Sequence, residues 1–198
     1  MTQHAFGSIS RGAAAALAVV LCVAFIAGIA AFRGWSLRPR LDPADARVSL
    51  SDIERSVAAI YPVPEIAGSE VTEKLARDDV VLFDVRDAQE FETSHLPGAI
   101  RIDPDMTAGG FAAEYGDRLR GRVVVFYCAV GARSGRMLER VGNAIASYRP
   151  AAAYNLRGGI FRWFVERRAI ENASGPASAI HPYDAAWEGL LQRALARR

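Results

Sequence analysis

The chain has 198 residues, a formal net charge of +2 and 51% hydrophobic residues. Its cationic residues are dispersed, and all but Lys74 are arginine, so no basic stripe indicates a nucleic-acid partner. The two cysteines, Cys22 and Cys128, and three scattered histidines exclude a disulfide framework and a zinc site. Composition therefore predicts one folded domain, with no metal or other cofactor implied.

An uncharged apolar stretch, residues 13–32, follows a short N-terminal tail, residues 1–12. A helix of about 20 residues spans about 30 Å, the thickness of a bilayer core, which predicts a single transmembrane helix. The alternative is a cleaved signal peptide with Gly28 and Ala30 at a small-x-small site, although its apolar region would usually be about 7 to 15 residues long. In that case the domain would be exported. A buried core helix is disfavoured because the stretch has no polar face.

The arginines around this stretch predict its orientation. Arg11 precedes it, whereas the arginines that follow are Arg33, Arg38, Arg40 and Arg47. The positive-inside rule then places the folded domain in the cytoplasm. Residues 33–50 are rich in Arg, Asp and Pro and lack an apolar period, which predicts a linker.

The predicted domain, residues 51–172, alternates short apolar strands with helices. The predicted helices are Ser51–Ile60, Ser69–Arg77, a short helix after Asp87, Phe111–Leu119, one after Gly131 and one after Gly159. Ser51 is predicted to cap the first helix. Asp87 and Glu90 are predicted to begin the short helix, with Phe91 on its inner face. The predicted strands are Val80–Phe83, Ala99–Ile102, Val123–Tyr127 and Ala153–Leu156. This alternation predicts an α/β fold with a mainly parallel sheet, whose functional residues lie at the carboxyl ends of strands.

A C-terminal extension, residues 173–198, contains a helix predicted from about Tyr183 to Ala196. Trp187, Leu191 and Ala194 share one face of it. Packing against the domain is the favoured interpretation. The alternative is a membrane-surface helix, because arginines cluster at its end.

Cys128 is the residue whose surroundings indicate chemistry. It directly follows a strand and precedes a helical pattern, so its sulfur is expected to face backbone N–H groups and the positive end of a helix, which favour a thiolate. Gly131 permits a tight turn, Arg133 adds a positive charge, and Ser134 can cap the helix. A lone cysteine is more often a small buried hydrophobe, but this flanking pattern favours a reactive thiol.

Four separated motifs over about residues 65–172 resemble the rhodanese family of sulfurtransferases. They are Leu82–Arg86; Glu90-Phe91 with His95–Ala99; Val124–Cys128 with Gly131, Arg133 and Ser134; and Leu156–Gly159 before Trp163. The resemblance implies a rhodanese-like domain with a central, mainly parallel sheet of about five strands flanked by helices. It also implies that Cys128 is catalytic and carries a persulfide from a sulfur donor to an acceptor.

The same resemblance assigns roles around the cysteine. The persulfide-binding loop would consist of Ala129, Val130, Gly131, Ala132, Arg133 and Ser134. Asp84 and Arg86 would form a structural pair that braces the sheet, and His95 is expected to bond backbone in a turn. Thiosulfate-using members often carry basic residues directly after the cysteine, so the apolar Ala129 and Val130 argue against thiosulfate as the donor.

Two other functions compete with sulfur transfer. Cysteine phosphatases and arsenate reductases follow a C-x5-R spacing, whereas Arg133 gives C-x4-R, a smaller ring of amides that suits sulfur better than a phosphoryl group. A membrane-tethered binding or sulfur-relay module with little turnover is the stronger rival. The expected partners are a small-molecule or protein-bound sulfane-sulfur donor, a thiol acceptor, and the membrane through residues 13–32.

Overall fold

The computed structural model describes residues 41–197, in which five strands form one sheet and every neighbouring pair is parallel. The strands are β1 (Glu65–Ile66), β2 (Val80–Asp84), β3 (Ile100–Arg101), β4 (Val123–Tyr127) and β5 (Ala152–Leu156), in the spatial order β1-β5-β4-β2-β3. This confirms the predicted α/β fold with a parallel five-stranded sheet. The sequence pattern had not indicated the short β1, which follows Pro64.

Helices cover both faces of the sheet. They are α1 (Leu50–Ile60), α2 (Gly68–Leu75), α3 (Ala88–Thr93), α4 (Ala108–Tyr115) with a 3₁₀ turn (Gly116–Leu119), α5 (Ala132–Ala146), α6 (Gly159–Val165) and α7 (Ala185–Ala196). The central strands β2 and β4 are buried along their whole length, which explains their continuous apolar sequences. On one face, Phe83 packs against Phe111, Tyr115 and Phe126 with ring centroids 4.9, 5.1 and 5.3 Å away.

The chain before α1 differs from the prediction. Ser49, and not Ser51, is the N-cap: its Oγ accepts a hydrogen bond from the backbone N–H of Asp52, whose carboxylate accepts one from the Ser49 N–H. Residues 41–50, predicted as part of a linker, belong to the folded unit, since Val48 and Leu50 are buried. Only Leu41, Val48 and Leu50 have large apolar side chains in this segment, which are too few to show a period.

The C-terminal extension packs on the domain. A hairpin that the sequence did not indicate, β6 (Ile170–Asn172) with β7 (Gly175–Ala177), precedes α7, and Leu190 and Leu191 of α7 are buried. Arg193 of α7 donates to the carbonyl oxygens of Pro43 and Asp45 at 2.7 and 3.3 Å. The apolar side of this helix therefore faces protein, as the packing interpretation predicts.

Between residues 41 and 197, no helix combines the length and apolarity needed to cross a bilayer. The predicted tail 1–12, the predicted transmembrane stretch 13–32 and the first part of the predicted linker, 33–40, lie outside the described residues.

Candidate active site

Cys128 lies at the carboxyl end of the central strand β4, at the start of the loop that leads into α5. Its side chain is buried, with 1% of its surface exposed. Gly131, at φ +98°, turns the backbone into the helix, and its N–H donates to Cys128 Sγ at 3.2 Å. The sulfur therefore lies against the positive N-terminal end of a 15-residue helix. Of the amides predicted to converge on it, Gly131 supplies the one hydrogen bond to sulfur within the described chain.

The loop is held from β5 by Asn155, a buried residue that no sequence motif had indicated. Asn155 Nδ2 donates to the Gly131 carbonyl at 3.0 Å, and Asn155 Oδ1 accepts from Ser134 Oγ at 2.7 Å. The prediction that Ser134 caps α5 was therefore wrong, because Gly131 is the N-cap and has no side chain to bond. The available signal was an amide side chain inside an apolar strand, since a buried polar group needs partners.

The start of α6 contacts the backbone of the cysteine loop. The N–H groups of Ile160 and Phe161 donate to the carbonyl oxygens of Cys128 and Ala129 at 2.9 and 3.0 Å. A Cβ on Gly159 would lie 2.3 Å from the Cys128 oxygen and 2.6 Å from the Ala129 oxygen. This close contact between two backbones is a physical reason for glycine at position 159.

Replacing Gly159 with alanine is expected to push the Cys128–Ala129 backbone out of place. The added methyl group overfills the contact, which predicts a loss of about 1–3 kcal/mol in the free energy of unfolding and a changed alkylation rate of Cys128. Urea denaturation and iodoacetamide labelling would measure the two effects. Gly98→Ala is the matched control, because Gly98 also has a positive φ, +71°, but a Cβ added there would meet nothing within 4 Å. Equal effects of both substitutions would contradict the proposed contact.

Arg133, predicted to add a positive charge to the loop, forms an ion pair with α3. Its Nη1 and Nη2 each lie 2.7 Å from a carboxylate oxygen of Glu90, and Nη1 also lies 3.4 Å from Asp87 Oδ2.

The inward residue of α3 is thus Glu90, which is 2% exposed, and the predicted inner position of Phe91 was wrong. Phe91 instead stacks on His95 with ring centroids 3.8 Å apart, and His95 Nδ1 lies 2.9 Å from the Phe91 carbonyl oxygen, a backbone contact as predicted for His95.

The electrostatics of this pair favour both charges. Burial disfavours the Glu90 carboxylate, but the hydrogen bonds and charge of Arg133 outweigh burial and lower the pKa of Glu90. Burial likewise disfavours the Arg133 guanidinium, but its hydrogen bonds to Glu90 and the negative charges of Cys128 and Glu90 raise the pKa of Arg133 above its ordinary value. Arg133 thus remains charged, lies within electrostatic range of Cys128, and ties the loop to α3.

Asp84 and Arg86 form the predicted pair at the end of β2. Both side chains are fully buried, and Arg86 Nε and Nη2 lie 2.9 and 2.6 Å from the Asp84 carboxylate oxygens. Arg86 Nη2 also donates to the Ser94 carbonyl at 2.6 Å, which ties the segment before His95 to the sheet. Both charges are therefore buried and paired at the end of the strand next to β4.

Tyr127, which directly precedes Cys128, extends this network. Its hydroxyl accepts from the Leu96 N–H at 3.1 Å, and burial together with the Asp84 charge raises the pKa of Tyr127 well above its usual value. Tyr127 is therefore a neutral structural group that joins β4 to the segment after α3.

Tyr183, from the C-terminal extension, also reaches the site. Its ring centroid lies 5.5 Å from the guanidinium carbon of Arg133, and its backbone has a φ of +75°. Tyr183 is 54% exposed, unusual for a large aromatic residue within residues 41–197. No sequence pattern placed Tyr183 near Cys128, because the contact joins residues far apart in the chain.

The remaining loop residues are apolar and well packed. Ala129 and Val130 are buried, and Ala132 is half-buried at the first position of α5. Within residues 41–197 there is no group of three or more His, Cys, Asp or Glu side chains that could hold a metal ion. The groups that meet at the sulfur are the thiol itself, the amide of Gly131 and the N-terminal end of α5.

Solved structures with similar folds include a thiosulfate sulfurtransferase from Pseudomonas aeruginosa. It is 25% identical with a TM-score of 0.50, and the match covers 76% of this chain but 27% of that protein. A Bacillus halodurans protein is 23% identical (TM-score 0.47, covering 64% of this chain and 89% of that one). A Rhodopseudomonas palustris protein described as "Possible Tyrosine Phosphatase" is 20% identical (TM-score 0.44, covering 63% and 96%). Identities below 25% show a shared fold and carry no argument about activity.

No curated protein matches the sequence. The family model of the rhodanese-like domain matches residues 68–166, half of the 198-residue chain. This range contains the strands β2 to β5, the cysteine loop, and both ion pairs that hold the loop and its neighbouring strand. The chain therefore belongs to the rhodanese-like domain family.

Proposed function

We propose that the protein is a sulfurtransferase of the rhodanese type, in which Cys128 accepts a sulfane sulfur from a donor and passes it to a thiol or another acceptor. The observation that carries the proposal is the position of Cys128 Sγ, which accepts the Gly131 N–H at 3.2 Å at the N-terminal end of α5. Amide dipoles at a helix N-terminus stabilise negative charge on a nearby sulfur, so this position suits a sulfur atom that attacks and leaves as an anion. The similarity to a thiosulfate sulfurtransferase agrees with it.

The reaction has two steps that balance without an added oxidant. In the first, the Cys128 thiolate attacks the outer sulfur of the donor, a Cys128 S–S bond forms, and the donor leaves with the electron pair of the broken bond. In the second, an acceptor such as a thiolate or cyanide attacks the outer sulfur of the Cys128 persulfide, and the Cys128 thiolate is released. The amide of Gly131 and the end of α5 stabilise the negative charge on sulfur in both steps.

A specific observation also supports the second candidate, a membrane-tethered binding or sulfur-relay module with little turnover. The Cys128 side chain is 1% exposed, so a soluble donor meets a covered sulfur unless the loop moves. Phosphatase chemistry has weaker support, because Arg133, the side chain that would bind a phosphoryl group, is held by Glu90 with two contacts of 2.7 Å.

A steady-state assay separates these functions. The full-length chain is incubated with a sulfane-sulfur donor and cyanide, and thiocyanate is measured over time. Many thiocyanate molecules formed per chain support the sulfurtransferase, whereas a single one per chain supports the relay module. Hydrolysis of a phosphate ester without formation of thiocyanate supports the phosphatase. Cys22→Ser is the matched control, because it leaves Cys128 as the sole thiol.

We propose further that residues 13–32 anchor the protein in a membrane as a single-pass helix, with the folded unit on the cytoplasmic side. The uncharged stretch and the arginines that follow it support this arrangement. Fusions of alkaline phosphatase and a fluorescent protein after Arg198 would test it. Fluorescence without phosphatase activity in the membrane fraction supports the anchor, whereas an active phosphatase on a shortened chain supports a cleaved signal peptide and export.

A further inference from the structure

The cysteine loop contains one cationic side chain, Arg133, and that side chain is already occupied. Both terminal nitrogens of its guanidinium contact the Glu90 carboxylate at 2.7 Å, and Asp87 lies 3.4 Å from one of them. The ring of Tyr183 lies over the guanidinium at 5.5 Å. The nitrogens that could clamp an oxyanion donor are therefore bound to carboxylates, and one face of the guanidinium is covered.

The ionised side chains of the Arg133 cluster give the loop no net positive charge. Arg133, Glu90 and Asp87 together carry one negative charge when all are ionised, and a Cys128 thiolate adds a second. The segment from Ala129 to Ala132 is uncharged. A dianion that approaches Cys128 is attracted by the Gly131 amide and the end of α5, but the loop offers it no free cationic side chain.

Neighbouring arginines do not reverse this balance. Arg86 is paired with the buried Asp84. Arg101, at the end of β3, directs its guanidinium to the Arg86 carbonyl oxygen, which lies 3.5 Å from Nη1. Arg136 follows Arg133 by three residues on α5 and is exposed, as is Asp87, so salt screens both of these opposite charges.

Resting on the proposed sulfurtransferase function, we propose that the donor is an organic persulfide whose organic part is neutral or cationic, and that the dianion thiosulfate is a poor donor for this site. The Cys128 thiolate attacks the terminal sulfur of R–S–SH and forms Cys128–S–SH, and the S–S bond of the donor breaks to release R–S⁻. The proton stays on the transferred sulfur. No group on the enzyme has to bind a leaving sulfite, for which the loop offers no free cation.

The test compares donors that differ in charge. Thiocyanate formation by the full-length chain is measured with 2-aminoethyl persulfide, 2-carboxyethyl persulfide and thiosulfate, each corrected for the rate with Cys128→Ser. The two organic donors have the same reacting group and differ in the sign of the distant charge. We expect kcat/KM to be at least about tenfold higher for the aminoethyl donor than for either of the other two.

Charge variants make the test independent of the intrinsic reactivity of each donor. Asp87→Asn removes the exposed carboxylate near Arg133 and keeps a good N-cap for α3. It is expected to raise kcat/KM about threefold for thiosulfate and for the carboxyethyl donor. For the aminoethyl donor, kcat/KM is expected to stay unchanged or to fall. Ala132→Lys, which adds a cation at the half-buried first position of α5, is expected to act in the same direction. Glu92→Gln is the matched control, since Glu92 is an exposed carboxylate on α3 with no ion pair among the described residues.

The outcomes distinguish an error in the inferred donor class from an error in the proposed sulfur transfer. If thiosulfate matches or exceeds the aminoethyl donor in the unaltered chain, or if Asp87→Asn and Glu92→Gln change all donors alike, the inferred donor class is wrong and sulfur transfer stands. If no donor places sulfur on Cys128, the proposed function is wrong, and the donor class is wrong with it.

Discussion

Replacing Cys128 with serine is expected to lower thiocyanate formation by at least about 10³-fold, to the rate of the uncatalysed reaction. The variant keeps a side chain of similar size that can still accept the Gly131 N–H. A serine hydroxyl, however, is not ionised near neutral pH and cannot form the S–S bond that holds the transferred sulfur. The measurement is steady-state turnover with the best donor, together with the unfolding midpoint to show that the variant is folded.

Cys22→Ser is the control for this loss, because Cys22 is the other thiol in the sequence and lies in the predicted apolar stretch. It should retain the full rate. A Cys128→Ser variant that is folded and still turns over at more than a few per cent of the normal rate would mean that another group carries the sulfur.

The second large effect concerns stability. Replacing Arg86 with methionine is expected to lower the free energy of unfolding by about 3–5 kcal/mol, because the Asp84 carboxylate would stay buried without its partner. The Ser94 carbonyl would also lose its donor. Such a loss is a large fraction of the roughly 5–15 kcal/mol by which domains are stable. Urea denaturation of the single variant would measure it.

Two further variants identify the cause. Asp84→Leu combined with Arg86→Met removes both charges, so it should recover part of the lost stability. Asp117→Asn breaks an ion pair whose side chains are 90% and 60% exposed, and should change stability by less than about 1 kcal/mol. If Arg86→Met is no more destabilising than Asp117→Asn, the buried pair does not brace the sheet.

The fold was largely predictable because its central strands are short, apolar on both sides and separated by helical patterns. Val80–Asp84 and Val123–Tyr127 are buried on both faces, and such strands occur in parallel sheets covered by helices. β1 and the hairpin strands β6 and β7, with two or three residues each, were not predicted, because they pair through backbone hydrogen bonds and are too short to show a pattern. The two-residue β3 was predicted because it lies in the apolar-rich segment Ala99–Ile102.

The part of the candidate site whose residues are close together in sequence was predictable. Cys128, Gly131 and Arg133 lie within six residues, and the sequence order of strand, turn and helix placed the thiol correctly. The partners that hold this loop come from other elements. Asn155 on β5, Glu90 on α3 and Tyr183 before α7 reach it through tertiary contacts that no local pattern encodes. A polar residue in an apolar strand was the signal available for Asn155.

The most direct measurement is the mass of the protein after incubation with an organic persulfide and removal of the excess donor. We expect an increase of about one sulfur atom, located on the peptide that contains Cys128, reversed by cyanide with release of thiocyanate and absent in Cys128→Ser. An unchanged mass with every donor, in a folded protein whose Cys128 also resists alkylation, would contradict it.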